Sequence, residues 1–395
     1  MTEGRPLPDV AVIGGGVIGA AASAFLAGAG MRVRLYERTA IAGGASGRNS
    51  GIVQHPFDPV LAGLYRASLE EYRGPASADA GFAIPDEPAG LLYVGHSPEA
   101  ARREAAAWLA AWPASRPEVL AAEELHRLEP SLAEDLVACR LAIGFPVAPA
   151  LATNAFAAIG GRHGAEIVIG AARPEIVAGR AIGVRVDGRS EPAGAVLVAA
   201  GPWTPELLDP TGAWRPIQPV WGVVASLALD PAPRHALESA DISIEPDDRG
   251  DARLSPGTDQ PSDAEVDFSL VPAAASSALG STFLPAEPDP RAWLPALRRV
   301  GARYVPGIAD APLLGLRHCA RPVSSDGRPL IGAIPGVTGL FVAAGHGPWG
   351  ISTVPGSARL IADLILGRID AATVPEALDP ARFGPVQRQE SGSKR

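Results

Sequence analysis

The amino-acid sequence predicts an α/β fold, in which a Rossmann-like domain with a parallel sheet is joined to a second domain of α+β character built on an antiparallel sheet. Three observations predict it. A glycine-rich strand, turn, helix and strand occupy residues 9–37, and buried strand-like runs end in glycine turns near 201 and 345. Between 216 and 316 the alternation of strands and helices stops, and strand-like runs are separated by Pro- and Asp-rich turns.

The first forty residues carry the most specific motif. A short apolar strand runs into Gly14-x-Gly16-x-x-Gly19, a helix of small residues follows, and a second strand ends at Glu37. Gly14 permits the tight turn, Gly16 lets the backbone approach a pyrophosphate, and Gly19 lets the helix pack closely on the strand. The positive N-terminus of the helix faces the phosphates. Glu37 can accept hydrogen bonds from ribose hydroxyls, so the unit predicts a dinucleotide site.

The same stretch has a membrane alternative. From Val10 to Gly30 the chain is nearly uncharged and long enough to imitate a transmembrane helix or a signal peptide. The Gly-Gly-Gly run, the acids Glu3 and Asp9, and the lack of a stop-transfer pattern argue against it. We therefore predict no membrane role.

The composition limits which kinds of protein and which binding partners are compatible with the sequence. The chain has 395 residues, which favours two connected domains, and 47% of them are hydrophobic. A net charge of -9 without a basic tract excludes a nucleic-acid partner. The two cysteines, Cys139 and Cys319, form neither a disulfide framework nor a metal-ligand spacing, so no metal is predicted and a cytoplasmic location is the expectation.

A Gly- and Ser-rich stretch, residues 41–51, follows the first unit and is predicted to be irregular. Such a loop presents backbone N–H groups and small hydroxyls to a ligand, and Arg48, Asn49 and Ser50 could reach a phosphate or a cofactor ring. A solvated connector remains the alternative. The elements predicted after it are helices at 56–73, 100–112, 122–128, 149–164 and 351–367, and strands at 90–95, 195–201, 220–229, 268–271 and 280–284.

Several segments together resemble one family, the D-amino-acid oxidase family of FAD enzymes, which includes glycine oxidase and monomeric sarcosine oxidase. The resemblance rests on the first unit and on the segments Gly44-Ala-Ser-Gly-Arg-Asn-Ser-Gly51, Leu128-Glu-Pro130, Val196-Leu-Val-Ala-Ala-Gly-Pro-Trp203, Asp326-Gly-Arg-Pro-Leu-Ile-Gly332 and Gly345-His-Gly-Pro-Trp-Gly350. It implies a discontinuous FAD-binding domain from residues 1–55, 146–212 and 316–385. Residues 56–145 and 213–315 would form the substrate domain, and 386–395 a polar tail.

The resemblance also implies the chemistry. Family members oxidise C–N bonds of amino acids and of secondary or tertiary amines by hydride transfer to flavin N5, and oxygen or another acceptor reoxidises the flavin. The chain has no lysine before Lys394, whereas sarcosine oxidase uses a lysine to activate oxygen, so oxidase and dehydrogenase both stay open. Two alternatives remain: a 2-hydroxy-acid or polyol-phosphate dehydrogenase on the same fold, and a flavin-binding subunit of a larger amine dehydrogenase complex. The oligomeric state is open.

Candidate catalytic residues follow from the same alignment of motifs. Arg321 falls where glycine oxidase has its carboxylate-binding arginine, and arginine suits that task because it forms two parallel charge-assisted bonds. Arg317 is the second choice, and a structural tie between domains is the alternative role. His346 and His55 could each serve as a base, a hydrogen-bond donor or a packing residue.

Cys319 falls where sarcosine oxidase links a cysteine to the flavin 8α-methyl group, so a covalent FAD is one hypothesis and an inert buried thiol the other. Trp221, Tyr93 and Phe283 are candidates for the pocket wall or for the core. The full set of predicted cofactor-binding residues is Gly14, Gly16, Val17, Ile18, Gly19, Glu37, Arg38, Ala45, Ser46, Arg48, Asn49, Ser50, Gly51, Ala200, Gly201, Trp203, Cys319, Arg321, Gly345, His346, Gly347, Trp349, Gly350 and Ile351.

Overall fold

A computed structural model describes residues 7–240, 261–273 and 275–386 of the chain. The strands of these residues are β1 Val10–Ile13, β2 Val33–Glu37, β3 Ile52–Val53, β4 Leu91–Gly95, β5 Glu118–Leu120, β6 Val137–Leu141, β7 Phe145–Pro146, β8 Glu166–Ile169, β9 Ala172–Val177, β10 Arg180–Val186, β11 Arg189–Pro192, β12 Ala195–Val198, β13 Ile217–Leu227, β14 Ala236–Ser239, β15 Val266–Val271, β16 Ser277–Thr282, β17 Leu313–Ser324, β18 Leu330–Ala333 and β19 Leu340–Ala344. The α-helices are α1 Val17–Gly28, α2 Ala45–Arg48, α3 Pro59–Arg73, α4 Pro75–Asp79, α5 Pro98–Ala111, α6 Ala122–Leu128, α7 Pro149–Arg162, α8 Thr204–Leu208, α9 Pro290–Tyr304 and α10 Gly350–Ile365.

The first large sheet has the strand order β18-β19-β12-β1-β2-β8. Its neighbours run parallel from β19 to β8, and only the edge strand β18 is antiparallel. Both faces are covered, which explains why its central strands are apolar throughout. Val10 and Val12 pack under α1, α7 and α10, whereas Ala11 and Ile13 pack against the small sheet of β9, β10 and β11. The predicted parallel sheet is confirmed.

The second large sheet has the strand order β17-β13-β16-β15-β14-β4-β6-β5. Neighbouring strands are antiparallel except β14 and β4, which run parallel because a long stretch of chain separates them instead of a hairpin. Helix α9 covers one face, where Trp293 and Leu297 are buried against Val223 and Leu279. The opposite face is turned toward the first sheet, so the predicted antiparallel domain is present with one parallel pair.

Three sequence expectations need correction or fall outside the described residues. The stretch 41–51 is not wholly irregular, because α2 forms a helical turn whose end is held by Asn49, with Nδ2 donating to Ala45 O at 2.9 Å and Oδ1 accepting from Gly51 N at 2.9 Å. Residues 245–264, a stretch of Pro- and Asp-rich turns within the predicted antiparallel region 216–316, lie mostly outside the described ranges, as do residues 387–395 of the predicted tail.

Two elements lie close to the predicted domain boundaries. Strand β17 spans the predicted boundary at 316 and pairs along its whole length with β13 in the second sheet. Helix α3, assigned to the substrate segment 56–145, buries Leu61 and Tyr72 in the core beneath the first sheet because its apolar stripe packs on α10. The boundaries themselves stay a prediction. Across the described ranges, no helix combines the length and apolarity needed to cross a bilayer.

Candidate active site

A single continuous cavity of about 1850 Å³ lies between the two large sheets. Loops at the carboxyl ends of β1, β2, β12 and β19 form one wall, and the exposed face of the second sheet forms the other. Parallel α/β sheets place their ligands at this edge. The volume exceeds the range of about 300–1,000 Å³ usual for one small ligand, so the cavity has room for a dinucleotide and a substrate.

The turn between β1 and α1 leaves no room for side chains. Gly14 has φ +114°, and a Cβ atom there would lie 2.3 Å from Ala199 O. A Cβ on Gly19 would lie 1.9 Å from Gly14 O, so close packing of α1 requires glycine. Gly16 precedes the helix without a side-chain cap and lines the cavity. Free backbone N–H groups at a glycine turn form a cradle that fits a pyrophosphate.

Glu37 ends β2 at the cavity wall. Its carboxylate accepts from Gly15 N at 2.7 Å and from Thr39 N at 2.9 Å, which holds it in place. A carboxylate has about four lone-pair sites, so acceptor capacity remains for ribose hydroxyls. Beside it, the guanidinium of Arg38 stacks over Trp203 at 4.0 Å from the ring centroid. These residues fit the nucleoside end of a dinucleotide.

The stretch 41–51 crosses the cavity and is tied at two points. Ser46 Oγ accepts from Val17 N at 3.0 Å, which joins α2 to the start of α1. On the other side, Arg317 donates from Nε to Arg48 O and from Nη2 to Asn49 O, both at 3.1 Å. Arg317 therefore joins the loop to the second sheet, which is the structural role considered for an arginine in this segment.

His346 lies at the end of β19, fully buried and in the cavity wall. Ser357 Oγ donates to Thr353 O at 2.9 Å, so its oxygen accepts from His346 Nε2 at 2.9 Å. This network assigns the proton to Nε2 and leaves Nδ1 a buried acceptor with no donor among the described residues. Burial lowers the pKa of His346 to about 3, so the ring is neutral at ordinary pH.

Arg321 lies on β17 with its guanidinium in the cavity wall. Nη1 donates to Thr282 O at 2.8 Å, Nη2 donates to Ser281 Oγ, and the ring of Phe283 lies 4.4 Å away. Gly222 makes the space, because a Cβ there would lie 2.4 Å from both Nη atoms. Burial lowers the pKa of Arg321, yet an arginine stays charged. With five N–H groups and two protein acceptors, it keeps donors for a ligand.

Cys319 lies two residues before Arg321 on the same strand and also lines the cavity. Burial raises the pKa of its thiol, while the charges of Arg321, Arg317 and Arg48 act in the opposite direction. The position permits contact with a cofactor. Thiolate formation is disfavoured before one binds.

The structure does not bring His55 to the cavity. Its ring stacks on Trp112 with centroids 4.1 Å apart and meets Tyr65 edge-on at 5.1 Å. Burial lowers its pKa, as expected of a ring packed among aromatics. Of the three roles considered for His55, these contacts favour packing, because the side chain after Gln54 points to the opposite side of the chain from the cavity.

Most other predicted cofactor residues do meet at the cavity. Gly19, Gly51 and Gly345 shape the backbone behind it instead, and a Cβ on Gly51 would lie 2.2 Å from Val147 O. Those in the wall are Gly14, Gly16, Val17, Ile18, Glu37, Arg38, Ala45, Ser46, Arg48, Asn49, Ser50, Ala200, Gly201, Trp203, Cys319, Arg321, His346, Gly347, Trp349, Gly350 and Ile351.

Sequence reasoning missed four polar residues of the cavity wall, Gln54 in the segment after β3 and Glu238, Asp267 and Ser281 on the second sheet. Phe283 and Trp221, which were predicted as candidates, also line the cavity. No local motif marks Gln54 or Glu238. The available signal was the alternation in Ala236-Leu-Glu-Ser239, which places Glu238 on one face of a short strand.

Comparison with known proteins agrees with this geometry. A family model described as FAD dependent oxidoreductase (DAO) matches residues 9–364. A glycine oxidase of Pseudomonas aeruginosa is 32% identical over 195 residues, which cover 49% of this chain and 46% of the relative. A D-amino acid dehydrogenase of Xylella fastidiosa is 30% identical over 280 residues, covering 67% of this chain and 58% of the relative. The chain thus spans about half the length of these curated relatives.

Solved structures match over nearly the whole chain. Glycine oxidase from Geobacillus kaustophilus superimposes with a TM-score of 0.75 at 26% identity, covering 98% of this chain and 100% of that one. Iminodiacetate oxidase from Chelativorans sp. BNC1 gives a TM-score of 0.77 at 23% identity, covering 94% and 98%. The fold is therefore shared along the chain.

Proposed function

The chain belongs to the FAD dependent oxidoreductase family, and from that premise we propose that it oxidises the C–N bond of an amine that carries a carboxylate. It is an FAD-dependent enzyme. The substrates named in its relatives, glycine, D-amino acids and iminodiacetate, all combine a nitrogen with a carboxylate. That shared chemistry supports an amino acid or a secondary amino acid as the substrate class.

Bound FAD supplies an acceptor, at N5, for the hydride that leaves the carbon next to nitrogen. The chain's own residues bind and orient. Gly14 and Gly16 would hold the pyrophosphate at the start of α1, and Glu37 the ribose. The N-terminus of α10 opens on the cavity, where its backbone N–H groups favour negative charge. We assign the first sheet and its helices to the cofactor half of the cavity, and the second sheet to the substrate half.

Arg321 is the observation that carries the proposal. Its guanidinium is held by Thr282 O and Ser281 Oγ in a fixed orientation, so its remaining N–H groups are preorganised for a ligand in the cavity. A carboxylate is the ligand that such a planar group binds with two parallel bonds. Within the described residues no carboxylate forms an ion pair with Arg321, and the charge of Asp267 acts on it only from a greater distance, so the free N–H groups of Arg321 remain for a substrate carboxylate.

His346 is proposed to position the flavin-facing loop and not to transfer protons. Its ring is neutral, its Nε2–H is committed to Ser357, and Nδ1 can only accept. A buried unpaired acceptor is costly unless a donor reaches it. A cofactor or substrate N–H would remove that cost, which supports a role in binding.

The test of the proposed function is anaerobic bleaching of the flavin absorbance by a panel of amino acids, N-methyl amino acids, amines and hydroxy acids, followed by admission of air. We expect bleaching by carboxylated amines. Recovery in air would identify an oxidase, and bleaching that persists in air a dehydrogenase. Bleaching by hydroxy acids alone, or by no compound, would contradict the proposal and favour the C–OH or subunit alternatives.

Arg321→Met tests the carboxylate clamp. Charge-assisted hydrogen bonds contribute about 1.5–3 kcal/mol each, so losing them should lower kcat/KM for a carboxylated amine by about 10- to 150-fold per bond. The matched control is Arg102→Met, since Arg102 is an exposed arginine on α5 whose ion pair among the described residues is with Glu99. Unchanged kcat/KM in Arg321→Met, with FAD content retained, would show that another group holds the carboxylate.

A further inference from the structure

The cavity wall formed by the second sheet carries positive charge at one side and negative charge at the other. The guanidinium of Arg321 is held against β16 by Ser281, whereas Asp267 on β15 and Glu238 on β14 place carboxylates farther along the same face. Adjacent strands lie about 4.8 Å apart, so β16 and β14 are separated by roughly 10 Å. A ligand that spans this wall meets positive charge at one end and negative charge at the other.

The negative end is built around a pair of side chains from distant parts of the chain. Gln54 Nε2 donates to Glu238 Oε1 at 3.1 Å, and Gln54 N donates to Ser352 Oγ at 3.0 Å. The hydroxyl of Tyr93 lies near Glu238 and acts to lower the pKa of its carboxyl group. These contacts hold the carboxylate, and no arginine or histidine of the described residues forms an ion pair with it. Its charge therefore lacks a protein counter-ion in that part of the chain.

A second observation points to a ligand at the same place. Gln54 is only 7% exposed, lines the cavity, and its Oε1 has no donor among the described residues. Gln54 Oε1 and the free lone pairs of Glu238 are adjacent acceptors, one neutral and one anionic. Burial raises the pKa of Glu238, and the charge of Asp267 raises it further. An N–H-rich cation satisfies both acceptors and offsets the cost of burying the carboxylate.

That cation is a nitrogen other than the one oxidised. Carboxylates around the reacting nitrogen would hold it as an ammonium ion, which has no lone pair to assist departure of hydride from the neighbouring carbon. The span from Arg321 to Glu238 also exceeds the separation of two groups attached to one carbon. Both arguments favour a nitrogen that stays charged throughout the reaction and lies at the far end of a side chain.

We propose that Glu238 and Gln54 form a subsite for a second, permanently cationic nitrogen, so that the preferred substrate is an amino acid whose side chain ends in a guanidinium or ammonium group. This inference rests on the proposed function, because it assumes that an amine is oxidised and that Arg321 binds its carboxylate. Glu238 supplies charge, and Gln54 supplies a neutral acceptor and holds Glu238 in place.

Arginine and citrulline test the proposal, because they differ only in a charged guanidinium against a neutral ureido group. Both enantiomers of each are compared by anaerobic flavin reduction with the FAD-loaded enzyme. We expect kcat/KM at least about tenfold higher for arginine, the effect of a charge-assisted hydrogen bond. In Glu238→Gln this ratio should fall to about threefold or less. The control is Glu123→Gln, an exposed carboxylate on α6 in the same half of the molecule.

The outcomes separate this proposal from the proposed function. Equal kcat/KM for arginine and citrulline in the wild type would overturn the cationic subsite and leave amine oxidation intact, whatever the folding of the variant. An unchanged ratio in folded Glu238→Gln would overturn the role of Glu238. If neither amino acid nor any other amine bleaches the flavin, the proposed function fails. Binding of 4-guanidinobutanoate and of 4-ureidobutanoate, read from the flavin spectrum, then decides the subsite alone, and equal affinities would overturn it.

Discussion

A single added methyl group should displace the proposed carboxylate clamp without disturbing the sheet that carries it. In Gly222→Ala, the new Cβ would lie 2.4 Å from both Nη atoms of Arg321 and 2.5 Å from its Cζ. Van der Waals contact between carbon atoms begins near 3.5 Å, so the guanidinium must move by about 1 Å. Such a shift breaks its 2.8 Å bond to Thr282 O and its bond to Ser281 Oγ.

The effect should appear in catalysis while the fold is retained. The displaced guanidinium loses two charge-assisted hydrogen bonds in a buried site, so we expect the free energy of unfolding to fall by about 1.5–3 kcal/mol for each bond that is not remade elsewhere in the cavity. A misplaced guanidinium should cost about 1.5–3 kcal/mol in the transition state, which is about 10- to 150-fold in kcat/KM for a carboxylated amine.

The assay compares Gly222→Ala with Gly315→Ala. Gly315 lies on the neighbouring strand β17, and a Cβ there would make an ordinary contact, 3.9 Å from the Ser226 Cβ. FAD content, thermal stability and kcat/KM are measured for both variants. If Gly222→Ala retains wild-type kcat/KM while both variants stay folded and yellow, the fixed position of Arg321 does not matter for the reaction and the clamp is refuted.

Three further predictions concern the cofactor wall. In Gly19→Ala the added Cβ would lie 1.9 Å from Gly14 O, so we expect the flavin-to-protein absorbance ratio of the purified protein to fall severely, whereas Gly63→Ala, which meets nothing within 4 Å, should keep it. Because the pKa of His346 is about 3 when folded and 6.5 when unfolded, the folded state binds fewer protons between these values. Stability should therefore fall as pH drops from 6.5 toward 3, by up to about 1.4 kcal/mol per pH unit, and urea titrations of His346→Gln should show a flatter decline. The raised pKa of the Cys319 thiol leads us to expect noncovalent FAD, so acid precipitation should release all colour, and colour retained in the washed pellet would establish a thioether.

The cofactor wall could be predicted because its signals are local. Gly14, Gly16 and Gly19 lie in one strand, turn and helix, and Glu37 ends the next strand at a fixed distance along the chain. Arg321 and Cys319 were predicted from the family resemblance, and they lie shortly before the motif that begins at Asp326, on one continuous strand that ends just before it. Where a single helix, strand or turn determines the relative positions of the residues, the sequence pattern is sufficient to predict the site.

The pairing of Gln54 with Glu238 and the orientation of His55 could not be predicted, because both depend on contacts between residues that are far apart in the sequence. Gln54 and Glu238 are 184 residues apart and meet only after the two sheets have packed together. His55 follows Gln54 directly, yet its ring lies among Trp112 and Tyr65 while Gln54 faces the cavity. Which of two adjacent side chains meets the ligand is decided by the strand pleat and by distant partners.

Strand β17 fixes the spacing of three residues at the site. Arg317, Cys319 and Arg321 occupy alternate positions on one face of the strand, so about 6.6 Å of extended chain separates each from the next. The roles proposed for Arg317 and Arg321 differ although their side chains lie on the same face. One inserted or deleted residue between Arg317 and Arg321 would turn one of the two to the opposite face of the sheet. Within this strand, substitutions can therefore change substrate preference while the site keeps its geometry, whereas insertions and deletions would disrupt the site. Designed libraries should keep the length of the strand constant.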